Sequence, residues 1–532
     1  MVQETLLYVI SLLFAVMLLV ILGLKLKIAY PIFLVIGGLL ISLIPGTPRV
    51  GISPDLIFLI FLPPLLYEAA WYTSWPNFWK MRLPIILHGF GLVIVTSVII
   101  AYLSEKLVPR FTLTIGLLLG GIISPPDAVA ASSVLKYFKI PKKVKTVLEG
   151  ESLVNDAASL TVFRFALAAV ISGTFVVEKA ATAFVMVTFM GIVIGLAIAQ
   201  IIYYIHKLFS TTTDIATALT LITPYIMYLT AEHFHYSGVL AVVSGGLFLS
   251  SRSKEILNHK ARLQSAGVWH TVAFVLNGLI FILIGLQLPS IINGLKYYSI
   301  QDGIRYGLIV SALIIIIRMV WLFATTYIPI FLSRKFRESP LRPNWKEVFL
   351  VGWAGMRGVI SLASALAIPV TLADGKEFPE RDLVLFISFM VILVTLVFQG
   401  LSLPWIIKKL NLSEDIREIP MDVQAQQIHL KLMKLSLVRL TDKHSDLIHS
   451  NMLVKTLKQK LENEVGFAKL NIDSLKITDD EKEQVKEYNR VLMDIHDFQH
   501  KKLSSLGMHT LYDEDVIRRE ESRIDLEQSK IG

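Results

Sequence analysis

Gly150-Glu151-Ser152-Leu153-Val154-Asn155-Asp156 opens an apolar run that reaches about Ile171, long enough to cross a bilayer. Charges near the middle of a membrane helix cost at least a few kcal/mol, so Glu151 and Asp156 should face a partner or a water-filled cavity. At about 100° per residue, Ser152 and Asp156 lie one turn apart on one helical face, and Glu151 and Asn155 share the adjacent face. No basic residue lies within a turn of Asp156. A cluster of Asp, Ser and Asn oxygens suits a small hard cation or a proton. For Glu151 a purely structural pairing stands beside a role in the site.

Composition sets the same frame. The 532 residues are 54% hydrophobic and 17% charged, with mean hydropathy +0.62, too apolar for a soluble globular protein of this size. The chain reads as an all-α polytopic membrane protein. It has no cysteine, which excludes disulfides, thiol chemistry and cysteine-based metal sites. The net charge of +9 fits an excess of Lys and Arg in cytoplasmic loops. No basic stretch interleaved with aromatics favours nucleic acid as a partner. The first apolar segment, Leu6 to Leu24, lacks a basic leader and a cleavage pattern, and reads as a retained helix.

Apolar windows broken at charges, Pro and Gly give about thirteen spans, near residues 5–24, 29–44, 54–71, 82–103, 111–133, 146–172, 179–204, 213–232, 236–250, 269–288, 303–332, 346–371 and 381–406. The basic stretches Lys136 to Lys145 and Arg334 to Lys346 mark inner loops, which places the N-terminus outside and the C-terminus in the cytoplasm. The division is a transmembrane domain over 1–410 and a cytoplasmic helical domain over 411–532.

Three spans carry interruptions. The third contains Leu62-Pro63-Pro64-Leu65-Leu66-Tyr67-Glu68, where two missing donors should kink or unwind the helix beside a membrane-embedded acid. The fifth contains Ser124-Pro125-Pro126-Asp127, a break that bares carbonyls and exposes the N-terminus of a half-helix. Asp127 can cap that end, coordinate an ion, or do both. The twelfth contains Gly352-Trp353-Ala354-Gly355-Met356-Arg357-Gly358, with Arg357 available to half-helix carbonyls or to an acid. Breaks in the fifth and twelfth spans occupy corresponding positions in spans one to six and eight to thirteen. That is the layout of two inverted repeats with a binding site where the discontinuous helices cross.

Arg318 lies deep in Ile314-Ile315-Ile316-Ile317-Arg318-Met319-Val320 and requires a carboxylate, for which Glu151 is the natural choice. Arg164, two turns beyond Asp156, either snorkels or pairs. His233 and His235 have poor metal spacing for one helical face and read as interfacial. From Val423 to Lys469 the apolar spacing predicts amphipathic helix, a second charged helical region follows Thr478, and the last twenty residues are polar enough to fray.

Leu62-Pro63-Pro64 with Glu68, Ser124 to Asp127, Gly150 to Asp156, and Gly355-Met356-Arg357-Gly358, in that order, resemble the sodium/proton exchanger family, the first monovalent cation:proton antiporter family. The resemblance covers about residues 1–410, and the Gly-Glu-Ser-Leu-x-Asn-Asp element is its most specific part. It implies a homodimer whose protomers join a dimerisation domain to a six-helix core moving as an elevator. Asp156 resembles the acid that binds cation and proton alternately, with Ser152, Asp127, backbone at Pro126 and Glu68 as its neighbours and Asn155 beside it. Glu151 and Arg318 resemble the family's interhelical pair, and Arg357 the arginine at the second break. Many relatives have Thr-Asp-Pro where this chain has Pro126-Asp127-Ala128, so a hydroxyl ligand is missing there.

One carboxylate carrying either a proton or a monovalent cation gives electroneutral exchange. Asn155 agrees with that count, since relatives with Asp there resemble the electrogenic branch. The expected cargo is Na+ (or Li+ or K+) and H+, with no cofactor, in a bacterial inner membrane. A K+/H+ antiporter on the same scaffold and a cation channel or sensor are the alternatives, paired breaks favouring alternating access over a fixed pore. An intramembrane hydrolase lacks a base beside Ser152.

Overall fold

The computed structural model describes residues 2–26, 29–44, 57–138, 140–173, 177–209, 212–295, 297–332, 344–372, 375–411, 421–474, 487, 490–499 and short pieces between 502 and 527. Two compact units divide it, Met1–Glu414 and Asp415–Gly532. Among the described residues of the first unit, nine helices are long and apolar enough to cross a membrane. Three shorter apolar helices accompany them, and a split element over residues 345–366 completes the thirteen spans expected.

The chain begins with α1 (Val2–Leu26) and α2 (Tyr30–Ser42), and α3 (Leu62–Tyr72) follows a π turn over Ile57–Phe61. Residues 54–56 of the third span lie outside the described residues. The double proline does not unwind this span. Pro63 and Pro64 sit where the π turn joins α3, with Phe61 ahead of them still helical, so the two missing donors are taken up by one widened turn. The fourth span carries an unforeseen π turn, Leu87–Gly91, ahead of α4 (Leu92–Leu107).

Both expected breaks are present. The fifth span splits into α5 (Leu113–Ile123) and α6 (Ala128–Leu135). Next comes α7 (Lys142–Ser172), which carries the Glu151 to Asp156 stretch; its 31 residues extend about 46 Å at 1.5 Å per residue. Then follow α8 (Val177–Leu208), α9 (Thr213–His233), α10 (Gly238–Ser251), α11 (His259–Leu286) and α12 (Ile300–Leu332). The tenth span starts ten residues earlier than its apolar window because Asn258 caps the helix, its Oδ1 accepting from the Ala261 N–H at 2.8 Å.

The inner loop Arg334 to Lys346 lies outside the described residues as far as residue 343. The twelfth span splits into α13 (Trp345–Trp353) and α14 (Val359–Leu366), with Asn344 and Glu347 forming a capping box at its start. The last span is α15 (Arg381–Val394), a π turn over Thr395–Gln399, and α16 (Gly400–Leu410). The isolated bridge Thr371 to Glu377 precedes it.

The helices bury two apolar clusters. One gathers α2, α4 to α7 and α11 to α16. The other gathers α3, α8, α9 and α10 with the Leu153, Ala157 and Leu160 stripe of α7. Hence α7, the helix of the central acid, is shared between both.

In the second unit, α17 (Met421–Lys443) and α18 (Met452–Ser474) pack against each other, in the stretch where apolar spacing predicts amphipathic helix. Leu430, Met433, Leu437 and Leu440 fall on the half-buried side of α17, at the three- and four-residue spacing of one helical face. Most of the region after Thr478 and of the last twenty residues lies outside the described residues.

Candidate functional site

The two interruptions meet. The Asp127 N–H donates to the Met356 carbonyl at 2.6 Å, so the breaks hydrogen-bond to each other across the repeats. Arg357 completes the crossing: its Nε donates to the Ile123 carbonyl at the end of α5 at 2.9 Å, another nitrogen reaches the Gly355 carbonyl, and its backbone N–H donates to Thr395 Oγ1 at 3.1 Å. A guanidinium placed on terminal carbonyls offsets the negative end of a helix dipole. Of the two partners open to Arg357 from sequence, the structure therefore gives it carbonyls. Gly358 is required by the same crossing, since a Cβ there would collide with the Asp127 carboxylate.

Asp127 is an N-cap. Its Oδ1 accepts from the Val129 N–H at 2.8 Å, while Oδ2 is buried without a hydrogen-bond partner. Ser152 Oγ, from α7, accepts from the Ala128 N–H at 3.4 Å. The N-cap Asp127 and Ser152 of α7 thus take the first free donors of α6, and the Asp127 carboxyl sits at its positive end.

A cavity of about 650 Å³ reaches this point, lined by Asp156, Ser152, Asp127, Pro126 and Glu68 together with Tyr30, Lys145 and Glu149. Asp156 is 8% exposed and within electrostatic reach of Asp127. Among the described residues no side chain or N–H pairs with its carboxylate. An unpaired buried acid at the end of a cavity has two ways to be neutral, by holding a proton or by holding a cation.

Asn155 is not part of that lining. It is fully buried, and its Nδ2 donates to Glu151 Oε1 at 3.2 Å. The residue faces the ion pair instead: Arg318 grips Glu151 with two nitrogens, Nη2 to Oε2 at 3.2 Å, and reaches the Gly352 and Val351 carbonyls at 3.1 Å each. The pair is 1% exposed on both sides. It ties α7 to α12 and to the last turn of α13, next to the second break.

Arg164 pairs with Glu232 of α9 at 2.7 and 2.8 Å. His233 stacks edge-on against Phe234, and His235 takes a left-handed backbone with φ 61°. Among the described residues no group of three His, Cys, Asp or Glu could hold a metal ion.

Glu149, Lys145 and Tyr30 were not foreseen in the lining. Glu149 lies three and seven residues before Ser152 and Asp156, on the same helical face, so the spacing carried the signal. Its carboxylate is 3.7 Å from Lys145 Nζ at the open end of the cavity.

The family model described as "Sodium/hydrogen exchanger, transmembrane" matches residues 10–409. The chain is 32% identical over 417 residues to the "Sodium, potassium, lithium and rubidium/H(+) antiporter" of Bacillus pumilus, covering 76% of this chain and 60% of that relative. It is 33% identical over 393 residues to the low-affinity Na(+)/H(+) antiporter NhaS1 of Synechocystis, covering 73% and 71%. Among solved structures, the sodium proton antiporter MjNhaP1 from Methanocaldococcus jannaschii at pH 8 superposes with a TM-score of 0.61 at 18% identity, over 77% of this chain and 99% of that one. The shared helical fold is what that likeness establishes.

Proposed function

The chain belongs to the sodium/hydrogen exchanger family, and on that premise we propose that it exchanges a monovalent cation, Na+ first, for protons across a membrane. The observation that carries the reading is the unpaired Asp156 carboxylate at the end of the cavity, where the two broken helices cross. Cation and proton compete for that group. Ser152, the free Oδ2 of Asp127 and backbone at Pro126 supply further oxygens, a hard donor set suited to an alkali cation, and Glu68 supplies a second acid on the approach.

The charge count follows. Glu151 is held by Arg318 and Asn155 by Glu151, and Asp127 caps α6, so the unpaired Asp156 at the crossing is the group assigned the exchanged load. One cation or one proton per passage makes the exchange electroneutral. Neither load crosses unless one neutralises Asp156, and this supplies the coupling.

The cavity ends at Asp156, while beyond it Ala157, Ala158, Leu160 and Phe163 are buried. A path open at one end and packed at the other supports alternating access over a fixed pore. The elevator reading assigns the moving part to the helices around the crossing, within a homodimer in a bacterial inner membrane, N-terminus outside and the 411–532 domain in the cytoplasm. K+ is the second candidate cargo, because the Bacillus relative is named for sodium, potassium, lithium and rubidium.

The test is dissipation of an imposed pH gradient in proteoliposomes on adding Na+, Li+ or K+, with and without a clamped membrane potential. Exchange that ignores the potential is expected, and the responding ion names the cargo. Flux that follows the potential overturns the one-carboxylate count.

A further inference from the structure

Outside the site already described, Arg164 and Glu232 form a close ion pair between α7 and α9. Both oxygens of Glu232 lie 2.7 and 2.8 Å from Arg164 Nη2, and the two side chains are 42% and 26% exposed. α9 belongs to one apolar cluster, whereas α7 stands at the seam, sharing that cluster through Leu153, Ala157 and Leu160 and the other through the rest of its buried face. α9 packs on α8, α10 and α11, whereas α7 packs most heavily on α5 and touches the Leu87–Gly91 π turn and α13. α7 also meets α10 and α3 of that group, so the long side chains span the seam along which α7 faces it.

Position on α7 matters more. The cavity reaches Asp156 from the Lys145 end of this helix. Toward the Gly173 end, Ala157, Ala158, Leu160 and Phe163 are buried, and Arg164 emerges just beyond them. Eight residues separate it from Asp156, about 12 Å along the helix. The pair therefore lies on the packed side of Asp156, opposite to the cavity.

We propose that the Arg164–Glu232 pair is a latch on the closed side, which holds Asp156 facing the Lys145 end and separates when Asp156 turns to the other. The inference rests on the antiport reading above. Moving one packing group past the other shears any contact between them. An ion pair half in water suits that use, because each charge recovers hydration when the pair opens.

Glu232 also accepts the Gly238 N–H at 3.1 Å, bracing the turn between α9 and α10. That second bond selects the variants. Arg164→Gln removes the latch and leaves Glu232 its turn contact. Glu232→Gln removes the charge while its amide oxygen still accepts from Gly238. Arg164→Lys keeps the charge.

The absence of cysteine allows a single reporter thiol. Leu160→Cys sits one turn beyond Asp156 in the packed half, and a membrane-impermeant maleimide added from the Gly173 side in vesicles of known orientation reads its exposure. Arg164→Gln and Glu232→Gln should each speed labelling about twofold to fivefold, with Arg164→Lys close to the parent. Unchanged labelling in both neutral variants, or equal acceleration from the Lys145 side, overturns the latch. Cation-dependent proton flux of the same preparation separates the two readings. Flux without the labelling shift removes the latch alone; the shift without flux removes antiport and leaves the latch standing.

Discussion

Arg318 closes on Glu151 with two guanidinium nitrogens, both side chains 1% exposed, and Asn155 donates to the same carboxylate. A buried charge left alone is far more costly than the pair is favourable. Glu151→Leu or Arg318→Met should therefore destabilise the protein by roughly 3–5 kcal/mol. The double variant Glu151→Leu with Arg318→Met should lose much less than the sum. Thermal unfolding in detergent measures both, and additive losses would show that the two residues do not act as a pair.

Gly358 lies against the Asp127 carboxylate with no room for a Cβ. Gly358→Ala should push the two breaks apart and lower exchange about tenfold or more. Gly267→Ala, where a Cβ meets nothing within 4 Å, should leave it unchanged. Initial rates of cation-driven proton flux compare the two, and equal rates would contradict the tight crossing.

Arg357 covers the Ile123 carbonyl and is 1% exposed. Arg357→Ala strips the end of α5 of its donor and should abolish exchange, whereas Arg357→Lys, with one point charge in place of a planar fork, should retain part of it. Full activity in the alanine variant would show that the carbonyls need no cation.

Competition at one carboxylate has a pH signature. A bound proton must leave before a cation can enter. Where Asp156 is mostly protonated, each unit drop in pH should raise the apparent KM for the cation about tenfold, with little change in maximal rate. A falling maximal rate at constant KM would place the proton on a different group.

The breaks were legible because Pro and Gly act locally: Pro125 with Pro126, and Gly355 with Gly358, are paired in mid-span beside a charged residue, whereas single residues such as Pro224 and Pro404 stay inside helices. Glu151 with Arg318 was legible for another reason, since two opposite charges deep in apolar runs have few alternatives. The Glu232 partner of Arg164 was not, because 68 residues separate them and only tertiary packing brings α9 beside α7. The third span showed the limit of local rules. Its prolines predict a kink or an unwound turn, and the structure meets this with a π turn that runs straight into α3 rather than with a gap. The step of 100° per residue places Asn155 on the Glu151 face, and its hydrogen bond to Glu151 follows that spacing, although sequence alone also groups its oxygen with those of Asp156 and Ser152 as a cation donor.

The most direct measurement compares the parent with Asp156→Asn in proteoliposomes carrying an imposed pH gradient. Asn keeps the size of the side chain and removes the group that takes a proton or a cation. The account predicts a folded protein of unchanged thermal stability or better, with no proton movement on adding Na+, Li+ or K+. Cation-dependent proton flux persisting in Asp156→Asn would contradict it, and would move the carrier role to Glu68 or Asp127 at the same cavity.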